Sequence, residues 1–529
     1  MGGDSMLGER GRLGFWWIAA DHPRLPAVVS SPSGACTYAE LAGDAHQRVH
    51  ALRAAGLVDG DTVAVLAPND VEIVRWSLAC QEAGWYFLPL NYHLSAAEVA
   101  AILATADAAA LLVDLSGGSL ADLAASLLGQ GPPAPRCISF GGVLAGYEPL
   151  ESLLEGQSRA EPADRRTGTI FSFTSGTTGA PKGIRRRRPV GDPSAEAEVA
   201  SIFGRAFHFQ QLGGVHLAVA AMHHVGTHSF YIGALNVGQA LSIQPRFDPE
   251  PTLAAIERDK VTTAYMVPTM FHRLLRLSPE VRARYDHSTL QAVVHSAAPC
   301  PIGLKQRMLE WWGPVIWETY GGTEGAATIA KPHRWLEKPG TVGRSVRGVH
   351  VTILDDDGKE LGPGEVGNVF IESGANPFEY HGEGGVEATK AVMRGTKFTL
   401  GDLGVLDADG YLFIRDRAKD MIITGGVNVY PTEVEAMLLT HPAVADVAII
   451  GVPSEEWGEE IKAVVELSPG HAPTLELTDE LLAFSREHLS HYKCPRSVVF
   501  DDHLPRSEAG KLYKRKIRDR YWDPVERLV

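Results

Sequence analysis

"FTSGTTGAPKGIRRRR" occupies residues 173–188, a run of Ser, Thr and Gly closed by Pro181, Lys182 and Gly183. Thr174, Ser175, Gly176, Thr177, Thr178 and Gly179 carry little side-chain bulk. Backbone N–H groups and hydroxyls in such a run can gather around phosphate oxygens. Lys182 adds a point positive charge beside them. The run is not a GxxxxGK[ST] loop, because Pro181 precedes the lysine and Gly183 stands where a Ser or Thr would meet magnesium. Short polar runs are ordinary surface turns in most chains, so the residues on either side must decide.

Upstream, "TVAVLAP" (62–68) reads as a buried strand and "DVEIVRWSLACQEAG" (70–84) as an amphipathic helix, capped by Asp70 and stopped by Gly84. The pattern repeats over residues 86–114, with Ser95 as the N-cap of an Ala-rich helix. Downstream, "VHLAVAAMHHVG" (215–226), "KVTTAYMVP" (260–268) and "LQAVVHSAAP" (290–299) read as strands running into loops. Alternating strands and helices predict α/β layers with a largely parallel sheet, whose ligands sit at the carboxyl ends of the strands. After about residue 350, D-G turns between short alternating runs predict a β-rich subdomain. Beyond residue 417 the pattern becomes a compact α+β unit. We place a boundary within residues 416–421, giving a large N-terminal domain over 1–416 and a small mobile lid over 417–529.

The chain has 529 residues, too many for one ordinary core. A net charge of −15 argues against general nucleic-acid binding, which requires a basic face. Cys36, Cys80, Cys137, Cys300 and Cys494 are scattered and form no CxxC pair, as expected of reduced thiols rather than a disulfide framework or a zinc site. The N-terminus lacks the basic and apolar regions of a signal peptide. No run reaches the roughly 18 apolar residues of a transmembrane helix. These features predict a soluble cytoplasmic protein.

Six further motifs follow the loop in order: "SAAP" (296–299), "YGGTE" (320–324), "GTVGR" (340–344), "GDLG" (401–404), "DRAKDMIITGGVNVYPTEVE" (416–435) and "PRSEAGKLYKR" (505–515). With "FTSGTTGAPKGI" they resemble the signatures of the adenylate-forming superfamily of acyl-CoA synthetases, peptide-synthetase adenylation domains and firefly luciferase. The likeness runs from about Cys36 to the C-terminus. It implies a layered α/β N-terminal domain with a β-rich subdomain, a mobile α+β C-terminal domain, and the cofactors ATP, Mg²⁺ and CoA.

The resemblance also implies roles for individual residues. Thr174, Ser175, Gly176, Thr177, Thr178, Gly179 and Lys182 would cradle the β- and γ-phosphates. Glu324 would bind Mg²⁺, and Thr323 would contact the α-phosphate. Tyr320, with Gly321 beside it, would offer an aromatic face to the adenine, and Ala297, Ala298 and Pro299 would offer backbone groups to its edge. Asp402 would take both ribose hydroxyls, assisted by Arg417. The family usually has Thr-Gly-Asp here, whereas this chain has Leu400-Gly401-Asp402. Lys511 would enter from the small domain as the adenylating lysine, Lys419 would be the hinge, and Gly425 and Gly426 would admit the pantetheine arm of CoA.

His224 falls where the family builds its acyl pocket, and no carboxylate lies near it in sequence. That disfavours an α-amino acid and favours a plain carboxylic acid. Gly226, Gly321 and Gly322 would leave room for a bulky acyl group. His224 and His228 are also spaced as a metal pair on a helix. The arginine run 185–188 would steer ATP or grip the 3′-phosphate of CoA. Three readings stay open: transfer of the acyl group to CoA, transfer to an amine or a carrier protein, and a non-catalytic adenylate binder.

Overall fold

The computed structural model describes residues 12–128, 135–174, 182–374, 378–454, 456–506 and 511–522. The chain forms two compact units. The first comprises Met1–Met266, Arg273–Val294 and Ala375–Ala391. The second comprises Val267–His272, His295–Gly374 and Val392–Val529.

In the first unit a six-stranded sheet has the order Glu148–Pro149, Arg136–Phe140, Ala108–Asp114, Thr62–Leu66, Tyr86–Leu90, Thr169–Ile170. Every neighbouring pair in it is parallel. The central strand Thr62–Leu66 is buried along its whole length, as a parallel strand covered on both faces must be. Burying each aliphatic side chain there stabilises the fold by about 1.5–3 kcal/mol. The predicted punctuation is present. The Asp70 side chain accepts from Glu72 N and opens the helix Val71–Ala83, and Gly84, at φ +78°, ends it. Ser95 and Glu98 form a reciprocal capping box on the helix Ala96–Ala106. A second parallel set joins Pro26–Ser30, Ala240–Ile243, Val215–Ala218 and Thr263–Met266. Three antiparallel strands, Ser172–Thr174, Lys182–Arg186 and Phe378–His381, complete the unit's sheets.

The second unit is mostly antiparallel. The strands Ile316–Gly322, Gly325–Ala330 and Arg344–Ser345 form one ladder. The predicted β-rich segment is a sheet of Val349–Leu354, Gly367–Ser373, Lys397–Leu406, Met393–Arg394 and Leu412–Arg417. Gly410, at φ +79°, supplies the left-handed residue of the turn joining Lys397–Leu406 to Leu412–Arg417.

Beyond Arg417, a five-stranded sheet packs with the helices Pro431–Leu438 and Leu475–His488. Its core includes Ile422, Val434, Leu438, Ile449, Val465 and Leu481. The architecture is thus mixed α/β with parallel sheets, a large N-terminal region and a small α+β C-terminal one. Among the described residues no helix is long and apolar enough to cross a membrane.

Candidate active site

Tyr320 lies on the strand Ile316–Gly322, which turns back through Thr323 and Glu324 into Gly325–Ala330. The turn is tight because its glycines allow close approach. A Cβ on Gly322 would stand 2.5 Å from Glu324 Oε2 and 2.7 Å from Leu400 Cδ2. A Cβ on Gly321 would stand 2.6 Å from the Gly325 carbonyl oxygen. Protein atoms therefore stand where a Cβ would be at both glycines. Glu324 projects from the tip of a two-residue turn, and its charge reaches Tyr320.

The Tyr320 hydroxyl donates to Asp402 Oδ2 at 2.6 Å. Arg417 Nε donates to Asp402 Oδ1 at 2.8 Å, and its Nη1 donates to the Leu400 carbonyl at 3.0 Å. Asp402 and Arg417 face each other across paired strands, so backbone register sets this geometry. Asp402 is 5% exposed, and burial pushes its carboxyl up against the opposing pull of Arg417 and Tyr320. Burial, followed by the Asp402 charge, holds the Tyr320 phenol well above its ordinary range. At the departure from Thr, the Leu400 side chain covers Gly322, while its main-chain carbonyl, which any residue would supply, takes the Arg417 guanidinium.

Lys511 belongs to the same electrostatic cluster. Burial, then the charges of Arg417 and Lys419, lower its ammonium to about 8, opposed by Asp402 and Asp420. Lys419 sits in the one-turn helix Ala418–Asp420, and burial lowers its pKa too. Three residues past Lys511, Lys514 makes a 2.7 Å ion pair with Glu435, whose Oε1 also accepts from Ile449 N. Asp416 Oδ2 accepts from the Thr432 backbone N at 2.8 Å and from its hydroxyl at 2.9 Å. It thereby caps the helix Pro431–Leu438, whose own N-cap residue, Tyr430, makes no side-chain cap. Gly425 and Gly426 hold φ of +57° and +77°. A Cβ on Gly425 would meet the Trp457 ring at 2.8 Å, and Arg496 lies over that ring at 4.6 Å. Sequence reading missed Asp416, Glu435, Lys514 and Trp457 because their partners are set by tertiary contacts.

In the first unit Thr174 and Lys182 pair directly across antiparallel strands. Ser175, Gly176, Thr177, Thr178 and Gly179 lie outside the described residues. His224 occupies the N-cap position of the helix Val225–Val237, and burial lowers its imidazole to about 4. Burial also keeps His223 and His228 neutral. His228 Nε2 lies 2.8 Å from Ser77 Oγ. Among the described residues no group of three or more His, Cys, Asp or Glu side chains is placed to hold a metal ion. Gly226 abuts the Tyr265 hydroxyl, 2.8 Å from where a Cβ would stand, so it too is explained by packing. Arg188 bonds Asp59 and donates to the Gly84 carbonyl at 2.6 Å. Arg185 lies 4.2 Å over the Tyr86 ring. Two members of the arginine run therefore have structural partners within this unit.

The sequence model of AMP-binding enzymes matches residues 15–379, and that of their C-terminal domain matches residues 433–511. A feruloyl-CoA synthase from Amycolatopsis sp is 34% identical over 96% of this chain and 99% of its own. A fatty acid–[acyl-carrier-protein] ligase, ScoC from Streptomyces coeruleorubidus, is 31% identical over 97% and 96%. The solved amide bond synthetase McbA from Marinactinospora thermotolerans superposes with a TM-score of 0.80 at 28% identity, covering 94% of this chain and 97% of its own. The chain belongs to the adenylate-forming superfamily of AMP-binding enzymes.

Proposed function

We propose that this protein is an acid–CoA ligase. A substrate carboxylate oxygen attacks the α-phosphorus of ATP, the bond to the β-phosphate oxygen breaks, and pyrophosphate leaves. The CoA sulfur then attacks the acyl carbon of the adenylate and AMP departs. A carboxylate is a poor electrophile, so the enzyme must hold two anions together and offset the charge between them.

The observation that carries this reading is the Tyr320–Asp402–Arg417 constellation with Lys511 in its field. Asp402 spends one lone pair on Tyr320 and one on Arg417. Two remaining acceptor sites suit the vicinal hydroxyls of a ribose. Lys511 offers a positive charge that a bound phosphate would strengthen. Thr174 and Lys182, with the Ser/Thr/Gly sequence between them, supply donors for the leaving pyrophosphate. Glu324 fits Mg²⁺, since a hard cation shared with phosphates takes only one or two protein carboxylates. When bound, that ion would neutralise phosphate charge. Lys419 serves as the hinge of a lid beginning near residue 417, and Gly425 and Gly426 admit pantetheine beside Trp457.

Neutral His223 and His224 supply no anion for a substrate ammonium, which supports a plain carboxylic acid, and the feruloyl-CoA synthase relative supports an aryl one. We place the protein in the cytoplasm, in keeping with its five free cysteines. A second reading, with an amine or a carrier protein as acceptor, is favoured by McbA and ScoC. The first half-reaction is tested by ATP–pyrophosphate exchange over a panel of aryl, aliphatic and cyclic acids. Acid-dependent exchange is expected, and its absence with every acid would sink the proposal.

A further inference from the structure

Below the nucleotide residues lies a buried polar cluster that the reaction does not use directly. Lys305 is fully buried, and its Nζ lies 2.7 Å from Glu318 Oε2. The same ammonium sits 4.8 Å from the centroid of the Trp335 ring. His295, also fully buried, has its Nε2 3.5 Å from the same Glu318 oxygen. Burial and the neighbouring Lys305 charge keep this imidazole neutral.

The origins of the three side chains give the cluster its meaning. His295 is the last residue of the strand Ala292–His295. Lys305 is in the helix Ile302–Trp312. Residues 296–301, including the Ala297–Pro299 loop, span the gap between those two elements. Glu318 lies two residues before Tyr320 on the same strand, so the two side chains share a face. Through its bond to Lys305, Glu318 thus ties the far end of the loop to the strand that presents Tyr320, and it stands against His295 at the near end without a hydrogen bond.

The loop needs such restraint. Ala297 holds φ +75°, a left-handed conformation that a non-glycine residue keeps only where its surroundings over-determine it. The helix after the loop has no side-chain cap at Pro301 to fix its start. A buried ion pair is a poor source of net stability, since apolar residues of the same volume often do as well. What it does supply is a defined geometry between the elements it joins.

We infer that Lys305, Glu318 and His295 are positioning residues that clamp loop 296–301 against the Tyr320 strand and thereby set affinity for the adenine ring. This rests on the nucleotide assignment of Tyr320 and Ala297–Pro299 proposed above. The clamp acts through the loop, so its loss raises the KM for ATP while leaving the KM for the acid unchanged. It also reduces discrimination between ATP and GTP, because the loop meets the edge of the base.

The test compares the parent with Lys305→Met and with Lys305→Met/Glu318→Gln, using thermal denaturation, calorimetric binding of Mg·ATP, and pyrophosphate exchange with ATP and GTP. The single variant leaves a carboxylate buried without its cation and is expected to melt early. The double variant removes both charges and is expected to recover most of the parent melting temperature. Its ATP dissociation constant should nevertheless stay about tenfold weaker, with a lower ATP:GTP ratio. Recovery of parent ATP affinity together with stability would show the cluster to be core packing and overturn the inference. Should neither variant fold, His295→Gln, which keeps the ion pair and adds no charge, must still weaken ATP binding, and an unchanged constant would overturn the inference. A parent that fails to bind ATP would overturn the nucleotide assignment itself, an outcome distinct from a parent and variants that bind equally.

Discussion

The Tyr320 hydroxyl and the Asp402 carboxylate meet at 2.6 Å, joining the motif that carries Glu324 to the strand Lys397–Leu406, which pairs with the strand that carries Arg417. Arg417 holds the other carboxylate oxygen at 2.8 Å, so Asp402 is oriented from both sides before any nucleotide arrives. Asp402→Asn would keep the shape but remove the charged acceptor proposed for the ribose hydroxyls. A hydrogen bond to a charged group is worth about 2 kcal/mol, which corresponds to roughly a thirtyfold rise in the KM for ATP. Initial-rate pyrophosphate exchange measures it, and the KM for the acid should hold.

Lys511 gives a pH dependence whose sign follows from its lowered pKa. In the unliganded protein its ammonium releases a proton near pH 8, whereas an ordinary lysine holds it to 10.5. The cationic form is the one that offsets phosphate charge. Adenylation kcat/KM for ATP should therefore fall above about pH 8, approaching tenfold per unit. Lys511→Arg should remove that alkaline limb at some cost in rate, because a guanidinium stays charged. Stability changes in the opposite sense. Between about pH 8 and 10.5 the unfolded lysine binds more protons than the native one, so this residue's contribution to stability rises with pH across that window. Lys511→Met should consequently melt higher than the parent at pH 7, with the gain shrinking towards pH 10.

Asp416 is a helix cap supplied from 16 residues upstream. Asp416→Ala would leave the Thr432 N–H without its partner at the start of Pro431–Leu438 and should cost about 1 kcal/mol in denaturant unfolding. If the lid turns about this segment, the ratio of adenylation to transfer rates should also change, read by single-turnover measurement of each half-reaction.

Gly425→Ala places a Cβ at φ +57° and 2.8 Å from the Trp457 ring. The left-handed backbone alone costs about 1 kcal/mol. Transfer of a preformed acyl-adenylate to CoA should slow while pyrophosphate exchange is preserved. Equal loss in both half-reactions would show that Gly425 serves folding and not the acceptor.

What could be read from sequence divides along physical lines. Local signals were legible: Asp70 and Ser95 cap neighbours two or three residues away, and Gly84 ends a helix by its own backbone conformation. Asp402, Arg417 and Lys511 were named from motif resemblance, and the fold gathers them into one charged cluster. Pairings across the fold were not legible. Lys305 looks like any helix lysine until Glu318, 13 residues on, is folded beneath it. Four consecutive arginines suggest an anion site, yet Arg188 is bound to Asp59, 129 residues away. Glycines in a pocket motif suggest empty space, whereas at Gly226, Gly321 and Gly322 other protein atoms already stand there.

The most direct measurement is mass spectrometry of the purified protein's products with ATP, Mg²⁺ and a panel of aryl, aliphatic and cyclic acids, each with CoA, with an amine, or with neither. The account predicts AMP and an acyl-CoA from at least one acid, and an acyl-adenylate when no acceptor is supplied. An amide formed without CoA, and no thioester from any acid, would contradict it.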